Sequence, residues 1–136
     1  MNFINNVKIA GATAGNLAPQ SVNASATAAP GSGGWVAGTA LLGRALAAFV
    51  QTGAFTSTPS MAFKLQTATD ANGTGAADVT GGAIATIAVA NTASQAELPM
   101  SLIDSTKYYA IACTATGGTS GFVAGQLRIL DPQLSA

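Results

Sequence analysis

Met61-Ala62-Phe63-Lys64-Leu65-Gln66 places a large apolar side chain at every second position, with small or polar ones between. A period of two marks an extended strand with one buried face and one wetter face. The pattern recurs further along the chain. Within residues 107–115, Tyr109, Ile111 and Cys113 alternate with Tyr108, Ala110 and Ala112. Ile84-Ala85-Thr86-Ile87-Ala88-Val89 is short and rich in β-branched residues, and Phe122 to Leu130 closes the set. Turn formers separate these runs: Asp70-Ala71-Asn72-Gly73, Gly81-Gly82, Asp104-Ser105 and Gly117-Gly118-Thr119-Ser120-Gly121. Short strands at this spacing predict an all-β chain, a single antiparallel β-sandwich of jelly-roll or immunoglobulin-like type.

The stretch from Thr39 to Val50 has two readings. Leu42, Ala45, Leu46, Phe49 and Val50 fit helical spacing, but Gly43 and the missing charged face oppose a helix. We read it as a buried strand, so the sandwich domain spans residues 39–136. Residues 1–38 differ in composition. After Phe3, Ile4, Val7 and Ile9 the chain is dominated by Ala, Gly and Ser, with Pro30-Gly31-Ser32-Gly33-Gly34 as a break. Such a segment has little apolar surface to bury. We read 1–38 as an extended N-terminal arm and loop. The arm covers about residues 1–20; the rest is either loop or a first strand lying along the sandwich edge.

The 136 residues suffice for one domain with a thin core: 49% are hydrophobic, but 30 are Ala, and Val, Ile, Leu and Phe together number 29. Five Lys and Arg balance five Asp and Glu, and there is no His. The commonest general base and metal ligand is therefore missing. A single Cys, Cys113, excludes an intrachain disulfide and a multi-Cys zinc site. Five scattered cations cannot neutralise a run of phosphates, so no nucleic-acid partner is expected. No stretch approaches the ~20 apolar residues that cross a bilayer, and the start of the chain lacks the apolar run of a signal peptide. We expect no enzyme, cofactor or membrane partner. Charged residues make up only 7% of the chain, against ~25% in an average protein. So little mutual repulsion favours a surface covered by other subunits over a free monomer.

Each candidate site has a plainer reading beside it. Asp70, Asn72, Thr74 and Asp78 have the oxygen-rich spacing of a Ca²⁺ loop. Two carboxylates are few for that ion, and Asn72-Gly73 alone signals a hairpin, so we read a bare β-turn and no metal. Asp104-Ser105-Thr106-Lys107-Tyr108-Tyr109 reads as a structural corner with a Tyr hydroxyl bonding backbone. Cys113 lies mid-strand with no His to activate it, and reads as a buried, inert thiol. Asn23-Ala24-Ser25 and Asn72-Gly73-Thr74 match the glycosylation sequon at a frequency expected by chance in so Ser/Thr-rich a chain. Trp35, alone in a Gly-rich loop, is either an interface anchor or a lid on one end of the core. No catalytic, cofactor-binding or metal-binding residue is assigned.

Several of these stretches together resemble a known family. They are Met61 to Asp70, the Asp78-Val79-Thr80-Gly81-Gly82 turn, Ile84 to Val89, Lys107 to Gly118 and the closing strand Phe122 to Leu130. In that order they are similar to small decoration (cement) proteins of tailed-bacteriophage heads, over about residues 44–130. The resemblance implies a β-sandwich on the capsid exterior that bridges units of the major capsid protein and often forms a homotrimer. It also implies that the N-terminal region docks on the particle. On that expectation residues 1–20, helped by Trp35 and the loops, contact the capsid or neighbouring copies, and removing residues 2–20 abolishes particle binding while leaving the sandwich folded. Three alternatives stay open: another virion structural subunit (major coat, tail-tube or head-fibre), an immunoglobulin-like adhesion module recognising host-surface glycans or a receptor, and, a distant third, an enzyme.

Overall fold

The computed structural model describes residues 7–11, 14–43 and 45–132. The strands are β1 (Val7–Gly11), β2 (Leu17–Asn23), β3 (Thr27–Ala28), β4 (Val36–Ala37), β5 (Ala45–Thr56), β6 (Ser60–Ala68), β7 (Ala77–Ile87), β8 (Ala93–Leu98), β9 (Tyr108–Thr116) and β10 (Ser120–Pro132). A single helical turn, α1 (Gly38–Leu41), precedes β5. Sheet I runs β2-β10-β5-β8, with β1 continuing the β2 edge along the far half of β10; sheet II runs β3-β9-β6-β7, with β4 beside β3 on β9. All pairings are antiparallel. The links β2–β3, β5–β6, β7–β8 and β9–β10 each cross from one sheet to the other. That order is the double Greek key of a jelly roll, and it decides between the two sandwich types expected from sequence.

Period two explains the core. Leu46, Ala48 and Val50 of β5, with Val123, Leu127 and Ile129 of β10, point into the sandwich from sheet I. Met61, Phe63 and Leu65 of β6, with Tyr109, Ile111, Cys113 and Ala115 of β9, meet them from sheet II. Each Leu, Phe or Met withdrawn from water in this way contributes roughly 1.5–3 kcal/mol. Thr52 takes the next inward position on β5. Its hydroxyl donates to the Val89 carbonyl (2.8 Å) and accepts from the Thr92 amide (3.2 Å), tying the β7–β8 turn to β5.

Four sequence expectations need correction. Residues 14–38 are part of the sandwich, as the edge-strand alternative has it, in place of an extended arm and loop: β2 pairs with β10, β3 and β4 pair with β9, and Leu17, Val22, Trp35 and Val36 are buried. Main-chain bonds to a neighbouring strand, with these few buried side chains, hold the segment. The arm read over residues 1–20 is likewise replaced by β1 and β2 from Val7 onward; residues 1–6 lie outside the described residues. The strand read from Thr39 begins only at Ala45, after α1. Finally, Gly81-Gly82 is not a turn. It lies in a bulge of β7, where Lys64 faces Ala83 while Gln66 faces Asp78, so β7 carries three residues more than β6 between those pairs. Gly81 takes φ +81°, a conformation that a turn and a bulge both require.

Candidate functional site

The chemically suggestive residues are held by local structure. In the β6–β7 loop, the Asp70 carboxylate accepts from the amides of Asn72 (2.9 Å) and Thr74 (3.1 Å) and from the Thr74 hydroxyl (2.7 Å). These bonds, the Thr74 hydroxyl first, hold Asp70 below the ordinary carboxylate range. Asn72 turns the other way, its Oδ1 accepting from Ser32 Oγ (2.6 Å) and the Gly33 amide (3.1 Å). Asp78 sits on the strand rather than in the loop, paired with Lys64 Nζ (2.6 Å) and Gln66 Nε2 (2.8 Å). The four residues with Ca²⁺-loop spacing therefore do not converge. In the 104–109 segment the expected corner is present: Tyr109 Oη accepts from the Asp104 amide (2.6 Å) and donates to the Leu102 carbonyl (3.3 Å). The Asp104 carboxylate caps the turn through the Thr106 amide and hydroxyl, which hold it below its ordinary range.

Cys113 is fully buried among the core residues, and burial pushes its thiol up to about 12, so thiolate is scarce at neutral pH. Trp35 is also buried, at 3% exposure, packed with Ala68 and Ala110 on the outer face of sheet II. Its Nε1 donates to the Pro30 carbonyl (3.3 Å). Of its two readings the lid fits, although it roofs a sheet face rather than an end of the core. Gly73 passes close against the indole with φ +82°; a Cβ there would stand 2.7 Å from Trp35 Nε1. Asn23 and Asn72, the two sequon residues, are exposed.

The outer face of sheet I is different. Phe49 and Gln51 of β5, and Phe122, Ala124, Gln126 and Arg128 of β10, form the floor of a shallow groove. Ala18 and Pro19 of β2 wall it on one side; Ala93 and Ser94 of β8 wall it on the other. Its two lobes, about 390 and 310 Å³, share Pro19, Gln51, Ala93 and Ala124 and so run together. Pro19 belongs to a bulge in β2, where Leu17 faces Gly125 and Gln20 faces Val123. Below that bulge the ladder breaks, and Asn16 Oδ1 takes the amide of Leu127 (2.8 Å) in place of a strand partner. Arg128 is fixed in the groove: its Cζ lies 3.9 Å from the Phe49 ring centroid and its Nε donates to Gln126 Oε1 (2.9 Å). Phe122, 46% exposed, stands at the opposite end. Such a surface offers apolar area, amide hydrogen bonds and one oriented guanidinium, which suits binding rather than bond breaking. Sequence reading missed it because its residues come from four strands between positions 16 and 128. The alternation of Phe49 and Gln51 with Leu46, Ala48 and Val50 was the available signal.

No family model matches this chain, and no curated protein does. Among solved structures it is similar to a chain of the "Structure of infectious bursal disease virus Gx strain", with 14% identity and a TM-score of 0.37 over 93% of this chain. This chain spans 32% of that chain's length.

Proposed function

We propose that this chain is a non-enzymatic structural subunit of a virus particle, a decoration protein seated on the outside of a tailed-phage capsid. The observation that carries the reading is the outer face of sheet I: a broad, grooved surface, almost free of charge, on a scaffold whose Asp70, Asp78 and Asp104 carboxylates and thiol are engaged in its own turns, strands and core. The jelly roll supports the reading only in part, because lectins and cupins use it too. A rigid neutral face gains affinity through many small contacts repeated over a lattice. The partners are the major capsid protein and further copies of this chain. Because Trp35 is buried and β2 belongs to sheet I, docking falls to the groove, which Ala18 and Pro19 help to wall, instead of to a free arm with Trp35.

Cryo-electron microscopy and quantitative mass spectrometry of particles from the virus encoding the chain test this. Many copies spread over the head are expected, and Phe122→Asp with Gln51→Lys should strip them while leaving the melting temperature unchanged. A few copies at the tail would support the adhesion module instead. Absence from particles would overturn the proposal.

A further inference from the structure

The two sheets have four flanks, and three are blunted. The flank formed by β1 and β2 carries Lys8 in the five-residue β1, and in β2 Pro19, which has no amide to donate, with a bulge beside it. β3 and β4 are two residues each. β7 is kinked by its three-residue bulge. β8 has none of these devices: Ala93-Ser94-Gln95-Ala96-Glu97-Leu98 keeps an unbroken register with β5 and contains no Pro, Gly or Lys.

The hydrogen-bond phase of β8 follows from its first contact. The Thr52 amide donates to the Thr92 carbonyl (2.8 Å), which makes Thr92 a residue turned toward β5. In an antiparallel ladder alternate residues face the partner, so Ser94, Ala96 and Leu98 also bond to β5. The amides and carbonyls of Ala93, Gln95 and Glu97 then point away from the sheet, and they have no backbone partner among the described residues.

We propose that β8 is the interface for a second copy of this chain, joined antiparallel across a twofold axis at Gln95, so that the two copies of sheet I become continuous. In this register Gln95 faces Gln95 of the second copy, and Ala93 and Glu97 face one another in both directions. Each of the three pairs exchanges two main-chain bonds. Charge selects the register: a shift that centred the axis on Glu97 would oppose two carboxylates, whereas here each faces an alanine. Apolar surface agrees. Of the four large hydrophobic residues that stand exposed among the described residues, Val89 (64%) lies just before β8 and Met100 (51%) just after it. The twofold brings the Val89 end of one copy beside the Met100 end of the other. The pairing is isologous, so it makes dimers and leaves the expected trimer without a role for this edge. It does not depend on the virion reading.

Sedimentation and oxidative cross-linking of the full chain test the interface. The wild type should sediment at twice its 13.3 kDa. Gln95→Lys sets like charges opposite each other and should weaken Kd by roughly tenfold or more with an unchanged circular-dichroism spectrum. Gln95→Pro removes an outward amide that β5 does not use and should do the same. In the proposed register the Gln95 Cα atoms lie about 5.5 Å apart, within disulfide range. Gln95→Cys should therefore cross-link to a covalent dimer on oxidation, while Thr74→Cys at the far hairpin should not. A wild type that stays monomeric at millimolar concentration, a trimer, or a dimer that survives both Gln95→Lys and Gln95→Pro overturns the proposal.

Discussion

The two outer faces of this jelly roll are built from similar small residues and end in opposite states. On sheet II, the chain between β3 and β4 folds back so that Trp35 covers Ala68 and Ala110, and Asn72 clips the roof through Ser32 and Gly33. On sheet I, Ala124 and Gln51 lie open between Phe49 and Phe122. An alanine-rich sheet face can be finished by its own chain or by another molecule. This protein does the first on one side and leaves the second available on the other.

Substitutions on the two faces should separate accordingly. Trp35→Ala removes the roof itself and should cost about 3–5 kcal/mol of unfolding free energy in urea titrations, the usual range for a buried Trp. An effect below 1 kcal/mol would mean that the two faces are equally open. Gly73→Ala should cost at least about 1–2 kcal/mol, because its left-handed backbone strains any side chain; the new Cβ would also press on the indole, 2.7 Å away. Asn72→Ala frees the clip to Ser32 and Gly33 and should cost about 0.5–1.5 kcal/mol.

Asp78 gives the roofed sheet a pH dependence. Hydrogen bonds from Lys64 and then Gln66 hold its carboxyl below the ordinary aspartate value of 3.8. The stabilisation is therefore complete above that value and is lost as pH falls through the lower folded value. The pair is half exposed, at 26% and 54% for Lys64 and Asp78, so Asp78→Asn should remove at most about 1 kcal/mol at neutral pH. It should also flatten the acid limb of the stability profile below about pH 4. On the open face, Phe122→Ser and Gln51→Ser should each stay within about 0.5 kcal/mol of the wild type. A larger loss there would show that the open face carries weight in the isolated fold.

How legible each part was in the sequence follows its mode of stabilisation. β6 and β9 were readable because Met61, Phe63, Leu65, Tyr109, Ile111 and Cys113 are held by side-chain burial, which writes a period of two. The Tyr109 corner was readable because a turn capped by Asp104 and a tyrosine five residues on are contiguous. β2, β3 and β4 were not, since apart from the scattered Leu17, Val22, Ala28 and Val36 they are held by ladder bonds to β9 and β10, which write no side-chain pattern. Gly81 misled for a related reason: its positive φ is common to turns and bulges, and only the partner strand distinguishes them. The groove was invisible, being assembled from residues more than a hundred positions apart.

Pro19 and its bulge have a consequence for how large any assembly through this sheet can grow. A subunit with a flat strand on both flanks behaves as a bifunctional building block and polymerises into ribbons and fibrils. Here the β2 flank is capped, so the molecule is monofunctional along that direction. Whatever adds to β8, Pro19 and its bulge leave the β2 half of the opposite flank without a continuous ladder for a further strand to extend.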